Sequence, residues 1–157
     1  MEPNLTNYIL TSDNLQVWQV NQQINEFGAD VNSRGMMNQT PLHAAVVKNN
    51  VAIAKALIAK GADINAQNNK GQTPLHIAVS IYETGKTDTS AIINLLIENG
   101  ADVFAKNFRD NTILAVAKTN THPILSAAIQ KRHTGGRRSR RLQNRRQRRR
   151  LSRRQRN

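Results

Sequence analysis

Thr40-Pro41-Leu42-His43-Ala44-Ala45 returns as Thr73-Pro74-Leu75-His76-Ile77-Ala78, 33 positions later. A second signature keeps the same step: Phe27-Gly28-Ala29-Asp30-Val31-Asn32 recurs as Lys60-Gly61-Ala62-Asp63-Ile64-Asn65. A fixed period of this size marks a stacked-repeat protein, in which each unit buries its apolar face only against its neighbours. Local chemistry fills in the unit. Thr40 suits a helix N-cap and Pro41 the first helical position, where a missing N–H costs nothing. Leu42, Ala45 and Val46 predict the apolar face of a short helix over about 41–48. A tight turn at Asn49-Asn50 leads to a second helix over about 51–60, carrying Ile53, Ala54, Leu57 and Ile58. Gly61 supplies a left-handed C-cap, and 62–72 forms a hairpin-like loop bending at Gly71.

Both T-P-L-H-x-A and G-A-D-x-N fall in one register, and on these motifs the chain resembles the ankyrin-repeat family. The resemblance implies an all-α solenoid of about four helix-turn-helix repeats with hairpin loops, over residues 1–134, and a function in binding rather than catalysis. The repeats divide at about 1–34, 35–67, 68–106 and 107–134. Gly100-Ala101-Asp102 follows Gly61 by 39 residues, so six residues are inserted within Tyr82–Asp88, between the two helices of repeat three. Its second helix, over about 89–99, carries Ile92, Ile93, Leu96 and Ile97. The end repeats are degenerate, as caps are. In repeat one the first helix is poorly signalled, and Asp13 is expected to cap a second helix carrying Leu15, Val17, Trp18 and Ile24. Repeat four opens at Thr112-Ile113-Leu114-Ala115, without proline or histidine. Thr121 and Pro123 begin its final helix, which runs to about Arg132, and Gly135-Gly136 closes the folded body.

The net charge of +13 is unevenly placed. Residues 1–130 hold nine Lys/Arg against all ten Asp/Glu, whereas 131–157 hold fourteen Lys/Arg and no acid. From Arg137 to Arg156, twelve of twenty residues are arginine: Arg137, Arg138, Arg140, Arg141, Arg145, Arg146, Arg148, Arg149, Arg150, Arg153, Arg154 and Arg156. With only Leu142 and Leu151 as apolar residues, residues 135–157 are expected to be a basic, disordered tail. The stretch resembles nuclear or nucleolar import signals and also the arginine-rich RNA-binding peptides of viral regulators. An import receptor, RNA and an anionic membrane are all open as its partner. The tail has no aromatic residue for base stacking, so RNA binding there is expected to be phosphate-driven.

Catalytic readings fare poorly. There is no cysteine, which removes disulfides, thiolate catalysis and Cys-based metal sites. His43 and His76 recur one repeat apart, as scaffold residues do, and the family resemblance gives them a hydrogen-bonding role at the helix-start turn. His122 and His133 have no motif around them. Gly85-Lys86-Thr87 mimics the end of a phosphate-binding loop, but Ser80 stands where the first glycine is required and a helix rather than a strand precedes it. Asp30, Asp63 and Asp102 are periodic turn residues. No catalytic residues, metal or cofactor are expected. No apolar run approaches the roughly 18–20 residues that span a bilayer, and no secretory signal opens the chain. An intracellular monomer is expected, nuclear or nucleolar, with the cytoplasm as the alternative.

The family resemblance places partner contacts on hairpin tips and on the exposed side of first helices. By register the tips are Met36, Met37 and Gln39, then Asn69, Lys70 and Gln72, then Phe108, Arg109 and Asn111. Val47, Lys48, Ser80 and Ile81 are the first-helix positions. A protein partner is expected on this face, although single exposed apolar side chains are ordinary and Met36, Met37 or Phe108 folding back onto the body is the alternative.

Overall fold

The computed structural model describes residues 4–116 and 125–127. Within 4–116 the chain forms α1 (Leu5–Thr11), α2 (Val17–Asn25), α3 (Pro41–Val47), α4 (Val51–Ala59), α5 (Pro74–Glu83), α6 (Ser90–Glu98) and the single turn α7 (Ile113–Val116). Among the described residues there is no strand, only an isolated antiparallel bridge between Lys106 and Thr112.

Two layers result. The first helices α1, α3, α5 and α7 stack in succession, and α2, α4 and α6 stack beside them. The first-helix layer is the core. All of Pro41–Val46 is buried in α3, and Pro74, Leu75, His76, Ala78 and Val79 are buried in α5. The second helices are amphipathic, with Ile53, Ala54 and Leu57 inward on α4 and Ile92, Ile93 and Leu96 inward on α6. This follows the apolar spacing of the sequence except at Ile58 and Ile97, which are half-buried, because a helix with neighbours on both sides needs a wider apolar stripe than one at the rim.

The caps follow the expected chemistry. The side-chain oxygens of Thr40 and Thr73 accept from the amides of His43 and His76, with Pro at the first position of each helix. Asn49 takes the left-handed conformation at the turn before α4 (φ 51°), and Asn50 caps that helix through Ile53 N–H (3.0 Å). Gly28, Gly61 and Gly100 share a positive φ at the ends of α2, α4 and α6.

Four local expectations need correcting. Repeat one has a proper first helix, α1, capped by Asn4 Oδ1 accepting from Asn7 N–H (3.1 Å). Asp13 does not cap α2; that helix opens at Gln16, whose N–H donates to Gln19 Oε1 (2.8 Å), while Asp13 pairs with Lys48 (3.2 Å). Trp18 is not core: it is 64% exposed, and Val20 is the buried residue of α2. Around Tyr82–Asp88, the insertion is part helix and part loop, since α5 runs on to Glu83 and has ten residues against seven in α3.

Residues 125–127, helical with Leu125 buried, are what is described of the predicted last helix. His122, Arg132, His133, Gly135-Gly136 and the arginines from Arg137 to Arg156 lie outside the described residues.

Candidate protein-binding surface

Two polar ladders join successive repeats, and they explain the motifs. In the first, Asp30 Oδ1 accepts from Asn32 N–H (2.8 Å), and Asn32 Oδ1 accepts from Asp63 N–H of the next repeat (2.8 Å). The same pair recurs as Asp63 with Asn65 (3.0 Å) and Asn65 with Asp102 (2.8 Å). In the second, the ring of His43 accepts at Nδ1 from Thr40 N–H (3.2 Å), and Nε2 lies 3.0 Å from the Gln72 carbonyl. A carbonyl only accepts, so Nε2 carries the proton and the ring is neutral. His76 repeats the arrangement with Thr73 (3.2 Å) and the Asn111 carbonyl (3.4 Å). Burial pushes His43 down to about 4, partly opposed by the Gln72 carbonyl, with smaller effects of Arg34 downward and Asp63 upward. His76 is lowered for the same first reason. Both histidines are thus engaged within the scaffold.

The hairpin tips are held by the same economy of backbone bonds. Loops 35–39, 68–72 and 107–111 each close through an N–H to carbonyl bond from first to last residue, at 2.9, 3.0 and 3.0 Å. Asn38, Gly71 and Asp110 occupy one left-handed loop position, with φ of 56°, 70° and 60°. Asn69 N–H donates to the Met37 carbonyl (3.0 Å) and Phe108 N–H to the Lys70 carbonyl (3.1 Å), so each tip is hydrogen-bonded to the next.

On this frame the predicted contact residues divide clearly. Met36 and Phe108 are each 71% exposed, Met37 is 48% exposed, and Asn69, Lys70, Arg109 and Asn111 are exposed with them. Val47, Lys48 and Ser80 are exposed on the first helices, Lys48 through its pair with Asp13 leaning toward repeat one. Ile81 and Gln72 are half-buried. Gln39 does not belong to the exposed set: it is buried, and its carbonyl accepts from Gly35 N–H (2.9 Å).

The second and third tips enclose an open concavity of about 380 Å³, lined by Asn69, Lys70, Gln72, Asn107, Phe108, Arg109 and Asn111. Asn107 was missed from sequence. Its Oδ1 accepts from the N–H groups of Arg109 (2.9 Å) and Asn111 (3.1 Å), as Asn68 Oδ1 does for Lys70 (2.9 Å) and Gln72 (3.0 Å). The signal was available, since Asn68 and Asn107 hold one register position once the insertion is counted.

The family model described as ankyrin repeats, three copies, matches residues 10–107, and the chain belongs to the ankyrin-repeat family. Ankyrin repeats make it a protein–protein interaction module, and proteins of this family are generally non-enzymatic. No curated protein matches the chain. Among the described residues no helix is long and apolar enough to cross a membrane, and no group of three His, Cys, Asp or Glu could hold a metal.

Proposed function

We propose that this protein holds a partner on its hairpin-tip face and that its arginine-rich stretch directs it to the nucleus or nucleolus. The observation that carries the binding half is the row of exposed Met36, Met37, Phe108 and Arg109 on loops whose backbone groups are already paired. Met, Phe and Arg are enriched in interface cores, and residues free of scaffold duty are available for that use. The targeting half is supported by the fourteen cations in residues 131–157, next to a body of net charge −1. A small ankyrin domain with such an address fits a host-directed effector of an intracellular bacterium or virus.

The second reading is an RNA- or DNA-binding protein whose arginines grip phosphates. Twelve arginines in twenty residues favour it directly, because a guanidinium forks onto phosphate oxygens. A fluorescently tagged full chain, compared with one carrying glutamine at the twelve arginines, separates the two. Loss of nuclear signal with unchanged nucleic-acid affinity supports targeting. Loss of nucleic-acid affinity with unchanged location supports the grip. Capture of the same protein partner by both chains, and its loss on Phe108→Ala with Arg109→Ala, supports the tip face.

A further inference from the structure

The concavity between the second and third hairpin tips carries a specific charge. Lys70 and Arg109 stand on its two sides, and among the described residues neither forms an ion pair. No carboxylate lines it, and the neighbouring Asp110 is engaged by Lys106 at 2.7 Å. Phe108, 71% exposed, adds an aromatic ring to the same lining, which Gln72 and three asparagine side chains complete. The walls are built in advance. Phe108 N–H bonds to the Lys70 carbonyl, and the ring of Phe108 lies over Gly71, where a Cβ would stand 2.6 Å from the Phe108 backbone nitrogen. A site whose loops are already ordered loses little conformational entropy on binding.

Resting on the tip-face reading above, we infer that this concavity docks an acidic peptide segment of a partner protein, with carboxylates toward Lys70 and Arg109 and an apolar side chain against Phe108. Charge complementarity selects the occupant. The chain's own arginine-rich stretch is excluded, because it brings only cations to a cationic site. Nucleic acid is the lesser fit, since one aromatic ring and two cations offer no continuous basic track for a phosphate backbone.

The test uses the isotope-labelled full chain and amide NMR, which reports each residue separately from the arginines. The probe is a capped pentapeptide of one leucine flanked by two glutamates on each side, beside its glutamine counterpart. The amides of Asn69–Gln72 and Asn107–Asn111 shift with the glutamate peptide, and the glutamine peptide binds there about tenfold more weakly, the scale of two partly screened charge contacts. Lys70→Gln with Arg109→Gln erases that preference. As a check independent of any variant, raising salt from roughly 0.02 to roughly 0.5 M weakens the wild-type complex. Equal shifts from both peptides overturn the acidic partner while leaving the tip face standing. Shifts confined to the arginine-rich stretch or to residues 84–88 overturn both. A single-stranded RNA that shifts the tip amides when the glutamate peptide does not overturns the peptide in favour of nucleic acid.

Discussion

His43 shows how much one repeated residue does. It lies at the third position of α3, fully buried, holds the helix-start turn through Thr40 and reaches the next loop through the Gln72 carbonyl. Burial disfavours the charged imidazolium, so the folded state keeps the ring neutral. With the folded value lowered from 6.5 to about 4, the unfolded chain binds the extra proton first. Stability from this residue is therefore full above about pH 6.5, falls as pH drops, and reaches its floor below about pH 4, a loss of about 3 kcal/mol. His76 acts in the same direction. Urea titrations across this range should show the decline, and the His43 ring signals should stay those of neutral imidazole at about pH 5.5. Leu75 is the packing counterpart, fully buried on α5 between the neighbouring first helices. Leu75→Ala should cost about 2–5 kcal/mol, and exposed Lys70→Ala less than about 0.5 kcal/mol, by the same titration.

At the scale of elements, the loops are as determined as the helices. Gly71 combines φ +70° with direct contact under Phe108, so alanine there faces both a disfavoured backbone and a clash with the Phe108 main chain. Gly71→Ala should destabilise by about 1–3 kcal/mol and move the third tip, seen as shifted Phe108 and Lys70 amides. Gly61→Ala has open space around its Cβ and bears only the positive-φ cost, about 1 kcal/mol. Comparing the two by denaturation separates strain from contact. The α5 extension and its loop stand apart from this face: Asn49 Nδ2 donates to the Asp88 carbonyl (3.1 Å), which ties the loop to the α3–α4 turn rather than to a tip.

For the whole molecule, the division of charge sets the expectations. Residues 137–156 bring two apolar side chains and twelve arginines, so they have almost nothing to bury. Ending the chain after Gly136 should leave the melting temperature nearly unchanged, measured by calorimetry. Any RNA affinity should depart with those residues. In the full chain it should fall on the order of a thousandfold between low and physiological salt, by similar factors for unrelated RNAs. A complex with one RNA that survives high salt would instead mean that the arginines adopt a shape-specific fold.

The period of 33, the caps at Thr40 and Thr73 and the glycine turns were legible in the sequence because each depends on a few adjacent residues. Local chemistry determined the register, the helix pairs and the place of the insertion. The ends were less legible. Asn4 and Gln16 cap helices without the Thr-Pro signature, and spacing alone points Trp18 inward, whereas among the described residues repeat one packs only against repeat two. Burial of a residue depends on what lies across from it, which no local pattern contains. The same holds for the candidate site. Lys70 and Arg109 are 39 residues apart and meet across one hollow because the insertion lies outside the loops, leaving the tips in register. That juxtaposition, the burial of Gln39 and the cradle of Gly71 under Phe108 were decided by the stacking of one repeat on the next.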